Sequence, residues 1–141
     1  MRVLVDTNVI LDFLLNREPF FEDAESLFEL INLGQVTGYV TATTLTDIFY
    51  IARKHTRNIE KAQQAIEILL DVMEVCAVNR SVVELAFKSG NSDFEDAIQI
   101  ACAESEGLDA ILTRDQQGFL RSPIQVFSIQ SLKNILNGEE C

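Results

Sequence analysis

Short, mostly apolar runs alternate with longer stretches of helical periodicity, and this alternation narrows the fold more than any other feature. The runs are Val3-Leu4-Val5, Tyr39-Val40-Thr41, Val75-Cys76-Ala77, Ala110-Ile111-Leu112 and Gln125-Val126-Phe127. A half-exposed strand would alternate apolar with polar residues, whereas a strand covered on both faces does not. Helices are expected between the runs: Asn8 to Leu15, a second after Pro19 that buries Ala24, Leu27, Phe28 and Ile31 and ends at Gly34, then Thr43 to His55. Glu60 to Met73 carries the clearest apolar stripe, Ala62, Ala65, Ile66, Leu69, Leu70 and Met73, at helical spacing. Ser81 to Ser89, a helix capped by Ser92 and stopped at Gly107, and Ile129 to Leu136 complete the set. Strands and helices in alternation predict an α/β fold with a mainly parallel sheet and helices on both faces. With 141 residues and no linker or repeat, the chain reads as one domain over residues 1–141.

In such sheets, ligands bind outside the carboxyl ends of the strands. Acidic residues gather where those ends should be. Asp6 ends the first run, and Asp47 is expected in the first turn of the helix after the second. Asp93 and Asp96 open the helix after Ser92, and Asp115 follows Leu112. Each acid has a plain structural explanation: a helix cap or first-turn charge for most, and the start of a turn before Gly118 for Asp115. Ser92-Asp93-Phe94-Glu95 has the form of a capping box, and Thr44-Leu45-Thr46-Asp47 nearly has it. Capping explains one acid per helix, but it does not require aspartate after several strands at one sheet edge. Converging carboxylates suit a hard cation such as Mg²⁺ or Mn²⁺, which prefers oxygen ligands. One or two such ions can hold a phosphodiester and activate water without a histidine base.

Composition narrows the chemistry further. The only histidine is His55, which excludes multi-histidine zinc sites. Cys76, Cys102 and Cys141 form no CxxC pair, and their odd number points to a reducing cytoplasm. No apolar run approaches the ~18 residues of a membrane span. The opening Met1-Arg2-Val3-Leu4-Val5-Asp6 meets a carboxylate too early for a signal peptide. The net charge of −11 opposes the usual nucleic-acid binder, which is basic. Bound cations would invert that field locally.

Four stretches, in order, resemble the motifs of PIN-domain nucleases. They are Val5-Asp6-Thr7-Asn8-Val9-Ile10-Leu11-Asp12, Leu45-Thr46-Asp47-Ile48-Phe49-Tyr50, Asp93-Phe94-Glu95-Asp96-Ala97 and Leu112-Thr113-Arg114-Asp115. The resemblance implies a PIN-like three-layer sandwich on a five-stranded, mainly parallel sheet. It also implies a Mg²⁺- or Mn²⁺-dependent endoribonuclease. By the same resemblance Asp6, Asp47, Asp96 and Asp115 match the metal-binding and catalytic acids, and Asp93 matches an auxiliary acid. Asn8 and Thr113 match supporting polar residues. The family often has glutamate at the second acid, so the shorter Asp47 is expected to act through water. Many relatives are VapC-type toxins restrained by a small antitoxin. A PIN-like module that binds RNA or protein without catalysis is the alternative.

Other acid-based enzymes fit less well. A haloacid dehalogenase-type phosphatase needs Asp where Asn8 stands, and a receiver domain needs a phospho-acceptor Asp and a late Lys. No GxGxxG or P-loop occurs. Arg53, Lys54 and Arg57 are candidates for RNA-backbone contacts, against the alternative of a solvated helix end. Phe20, Phe21, Phe28, Phe49 and Tyr50 are more large apolar side chains than the core of two helices needs, and they predict a homodimer.

Overall fold

The structure is a computed structural model, and residues 1–138 are described; Cys141 lies outside them. Five strands form one parallel sheet: β1 (Arg2–Val5), β2 (Thr37–Thr41), β3 (Glu74–Cys76), β4 (Ala110–Leu112) and β5 (Gln125–Phe127), in spatial order β3-β2-β1-β4-β5. Val3, Leu4 and Val5 are all fully buried. Because successive strand residues point to opposite faces, Leu4 enters one core while Val3 and Val5 enter the other. Register carries the same division into β4, where Leu4 pairs with Ile111 and Val5 with Leu112.

Helices α1 (Thr7–Leu14), α2 (Phe21–Asn32), α3 (Ala42–Thr56) and α4 (Ile59–Val72) cover one face, joined by α7 (Ile129–Leu136). Helices α5 (Arg80–Lys88) and α6 (Phe94–Glu106) cover the other. The chain steps outward from β1 through β2 to β3 on the first face. It then crosses back over the second face to β4, on the far side of β1. The strand order therefore reverses between β1 and β4, and the crevice at such a reversal is where open α/β sheets bind ligands.

The capping residues of two helices differ from the sequence expectation. Thr41 caps α3, its Oγ1 accepting from the Thr44 N–H at 3.0 Å, so the helix begins at Ala42. Asp47 is consequently in the second turn, not the first. Asp93, not Ser92, caps α6, with its Oδ1 accepting from the Asp96 N–H at 3.1 Å. A carboxylate is as good an N-cap as a hydroxyl, and Asp93 has the extended backbone a cap requires. A 3-10 turn at Gln116–Phe119 was not expected; it buries Phe119 under α6. Gly107 ends α6 in the left-handed region, as its position after the last periodic residue implied.

Candidate active site

Asp6 follows β1 and has the backbone of an N-cap for α1, yet its carboxylate turns elsewhere. Oδ1 accepts from Gln99 Nε2 at 3.0 Å and Oδ2 from Thr113 Oγ1 at 2.8 Å. Its N–H bonds the Leu112 carbonyl at 3.0 Å, which ties the ends of β1 and β4 together. Only 5% of Asp6 is exposed. Burial raises its pKa, the bonds from Gln99, Thr113 and the Thr7 backbone oppose that, and the charge of Asp115 adds to the rise. A capping role alone does not account for a buried carboxylate aimed across the sheet edge.

The start of α6 supplies the next acids. Asp96 is half-buried and its pKa is pushed up to about 7, first by burial and then by the negative charges of Asp93, Asp6, Glu95 and Asp115. Its carboxylate lies against Gly118, where a Cβ would collide with Oδ2. Thr7 Oγ1 donates to Glu95 Oε1 at 2.9 Å. Glu95 is also raised, by burial first, with Thr7 opposing and Asp47, Asp6 and Asp93 adding. Behind Thr7 a run of hydroxyls, Thr7 to Thr44 at 3.0 Å and Thr41 to Thr44 at 2.8 Å, links α1 to α3 beneath Asp47. On the other side, Asp115 follows β4; its N–H donates to Thr113 Oγ1 at 3.0 Å and its Oδ1 accepts from the Gln117 N–H at 3.3 Å.

Around Asp96 the charges of Asp6, Asp93, Glu95 and Asp115 come together, and Asp47 reaches the group only through Glu95. Among the described residues, no three His, Cys, Asp or Glu side chains stand close enough to grip one ion. The donor chemistry nevertheless suits a hard divalent cation, because every group is a carboxylate oxygen and no thiol or imidazole competes. Burial first, and then mutual repulsion, raise the pKa of Asp6, Glu95 and Asp96, and a bound cation would oppose both effects.

The other expected residues fall in different places. Asn8 is exposed on α1, and its Oδ1 accepts from Arg17 Nη1 at 3.4 Å rather than supporting an acid. Thr7 and Gln99 support the acids in its stead. Arg53, Lys54 and Arg57 lie at the C-terminal end of α3. At ~1.5 Å rise per residue they are roughly 9–15 Å along the helix from Asp47. The structure therefore does not bring them to the acids. Of the aromatic residues, Phe28 is a core residue stacked on Phe13 at 4.2 Å, and Phe20 lies under the Arg114 guanidinium. Phe49 and Tyr50 meet edge to face at 5.3 Å on α3, with Tyr50 exposed. Thr7 and Glu95 stand inside the quoted motifs with no site role expected of them, and Gln99 stands outside the motifs. Gln99 left one signal, a polar residue inside the apolar run Ala97-Ile98-Gln99-Ile100-Ala101.

The thiols of Cys76 and Cys102 are free and buried, and burial pushes them up to about 12 and about 11. No helix among the described residues is long and apolar enough to cross a membrane.

Comparison with known proteins agrees with this fold. No curated protein matches the chain. Among solved structures, VapBC-1 from nontypeable Haemophilus influenzae is similar at 22% identity and a TM-score of 0.70, over 92% of this chain and 99% of that one. DNA-bound VapBC from Salmonella typhimurium is similar at 22% identity and a TM-score of 0.69, over 92% and 98%. VapC20 from Mycobacterium tuberculosis, described as a toxin that cleaves the sarcin-ricin loop, is similar at 17% identity and a TM-score of 0.68, over 83% and 92%. At these identities the likeness establishes a shared fold. The model of the PIN domain matches residues 2–117, most of the chain, so this protein belongs to the PIN domain family.

Proposed function

We propose that the protein is a divalent-metal-dependent endoribonuclease, acting on single-stranded or structured RNA as the toxin of a toxin–antitoxin pair. The observation that carries the reading is the gathering of carboxylates from the ends of β1 and β4 and the start of α6 at the strand-order reversal, with Asp47 of α3 reaching Glu95. Asp6, Asp96 and Asp115 would hold Mg²⁺ or Mn²⁺, one or two ions, with Asp47 acting through water and Asp93 and Glu95 at the margin. When bound, such an ion neutralises phosphate charge and acidifies water. The protein's own groups prepare the site. Gln99 and Thr113 fix both oxygens of Asp6, so it presents its remaining lone pairs in one direction. Hydrolysis by water leaves a 5′-phosphate and a free 3′-hydroxyl.

The test is cleavage of RNA by the purified protein with Mn²⁺, beside an Asp6→Asn control. Activity lost in EDTA and in the control supports the reading, as do 5′-phosphate ends. Full activity in EDTA, or 2′,3′-cyclic phosphate ends, contradicts it. Binding of RNA without any cleavage would favour the alternative of a non-catalytic PIN-like module.

Partners follow from the same site. Several similar structures are toxin–antitoxin complexes. A small antitoxin for this chain would bring Lys or Arg to the acids in place of metal charge, and its association would slow with added salt. The homodimer expected through α2 and α3 would instead use α3 and α4, where Tyr50, Ile59, Ile68 and Leu70 are exposed, because Phe28 of α2 is a core residue; a monomeric mass by light scattering would contradict it. The buried free thiols suit a reducing cytoplasm.

A further inference from the structure

Asp12 is an acid the site does not use. It lies in α1, and its side chain is only 2% exposed. A carboxylate so far from water is stable only with a charged, well-bonded partner. Arg114 supplies it: Nε donates to Oδ2 at 2.8 Å and Nη2 to Oδ1 at 3.4 Å. The two bonds run from one planar guanidinium to one carboxylate, so they fix direction as well as distance. The guanidinium lies 3.9 Å from the centroid of the Phe20 ring. Arg17 adds a longer contact to the same carboxylate at 3.8 Å, and its N–H bonds the Asp12 carbonyl at 3.0 Å.

Arg114 stands between Thr113 and Asp115. The chain bends at Arg114, and the Asp115 N–H closes back on Thr113 Oγ1 at 3.0 Å. An arginine anchored on α1 therefore holds this turn in place. Within it Thr113 reaches Asp6 at 2.8 Å, and Asp115 is near enough to act on the charge of Asp6 and Asp96.

We propose that Arg114 is a positioning residue: clamped on Asp12 and Phe20, it orients the segment after β4 so that Thr113 and Asp115 face Asp6. The proposal rests on the nuclease reading only for the claim that this orientation serves metal binding.

Charge and positioning make opposite predictions. Arg114 is a cation beside a cation site, so its field alone opposes metal binding. If it acted only through that field, Arg114→Gln would bind Mn²⁺ more tightly. If it positions the segment, Arg114→Gln binds Mn²⁺ ~10–100-fold more weakly, the loss typical of supporting residues around metal ligands. Arg114→Lys keeps the charge but not the two-pronged bond, and it should recover only part of the affinity.

The experiment measures Mn²⁺ affinity by calorimetry and, in EDTA, hydrogen exchange at the Asp115 and Gln117 amides, which bond Thr113 Oγ1 and Asp115 Oδ1. Arg114→Gln should speed exchange at these two amides while leaving β1 unchanged. Unchanged exchange, tighter Mn²⁺ binding, or complete recovery in Arg114→Lys would each overturn the proposal. If Arg114→Gln does not fold, Asp12→Asn with Arg114→Gln, which leaves no unpaired buried charge, is read in the same way. A wild type that binds no Mn²⁺ would defeat the nuclease reading, and the exchange data would still decide whether Arg114 positions the segment.

Discussion

Gln99 donates its amide N–H to Asp6 Oδ1 at 3.0 Å, while its own Oε1 is buried with no hydrogen-bond partner among the described residues. A buried acceptor left unpaired costs about 1–3 kcal/mol, and a hydrogen bond to a charged group contributes about 1.5–3 kcal/mol. The two effects nearly cancel, so Gln99 is there for Asp6 rather than for stability. Gln99→Leu should melt close to wild type in EDTA at pH 7.5. Its Mn²⁺ affinity should fall ~10-fold or more, because Asp6 loses a fixed donor. Calorimetry and thermal melting on the same sample check both halves. A large drop in melting temperature with unchanged metal affinity would make Gln99 a core residue only.

Asp96 makes the stability of the metal-free protein depend on pH. Its folded pKa of about 7 lies above the ordinary aspartate value of 3.8. The folded state therefore binds the proton more tightly than the unfolded state does. This contribution destabilises fully above about 7 and fades as pH falls toward the unfolded value. In EDTA the wild type should accordingly gain stability as pH is lowered through that window. Asp96→Asn should flatten the gain, melt higher than wild type at pH 7.5 in EDTA, and show a smaller rise with Mg²⁺ or Mn²⁺. It should also abolish cleavage. Thermal melts across pH read the effect directly. A variant that melts lower and keeps the full metal shift would remove Asp96 from the ligand set.

Gly118 and Gly107 should separate activity from stability. The first has no left-handed backbone to defend, but a Cβ there would strike Asp96 Oδ2. Gly118→Ala should fold and lose ~10–100-fold in metal affinity or activity, because Asp96 must move. Gly107 has φ +69 with nothing within 4 Å of its Cβ position. Gly107→Ala should cost about 1 kcal/mol of stability and leave cleavage per folded molecule unchanged. Chemical denaturation and specific activity, measured on both variants, test the contrast.

Arg53, Lys54 and Arg57 stand well along α3 from Asp47. A bound RNA reaches them only if it extends beyond the cleavage point. Neutralising all three should weaken binding of a long RNA and reduce its salt dependence, yet leave a short oligonucleotide unaffected. Equal losses with both substrates would place these residues nearer the site than the fold allows.

The sequence by itself determined the layers. Apolar runs without alternation point to strands covered on both faces, and Val3-Leu4-Val5 and Ala110-Ile111-Leu112 are buried central strands, while Val75 in the edge strand β3 is exposed. It also determined which acids lie at strand ends, because a parallel sheet carries every such residue to one edge. Three things needed the tertiary structure. Asp47 moved to the second turn of α3 because Thr41, at the end of β2, competes successfully for the cap. The same competition gave the start of α6 to Asp93. Gln99, Thr7 and Arg114 acquire their roles from partners 93, 88 and 102 residues away, and neither periodicity nor propensity encodes contacts at that separation. The pKa of Asp96 likewise belongs to no motif. Burial raises it first, and neighbouring charges from β1, α6 and the segment after β4 follow. Only the closing of β4 against β1 brings those charges to the same place.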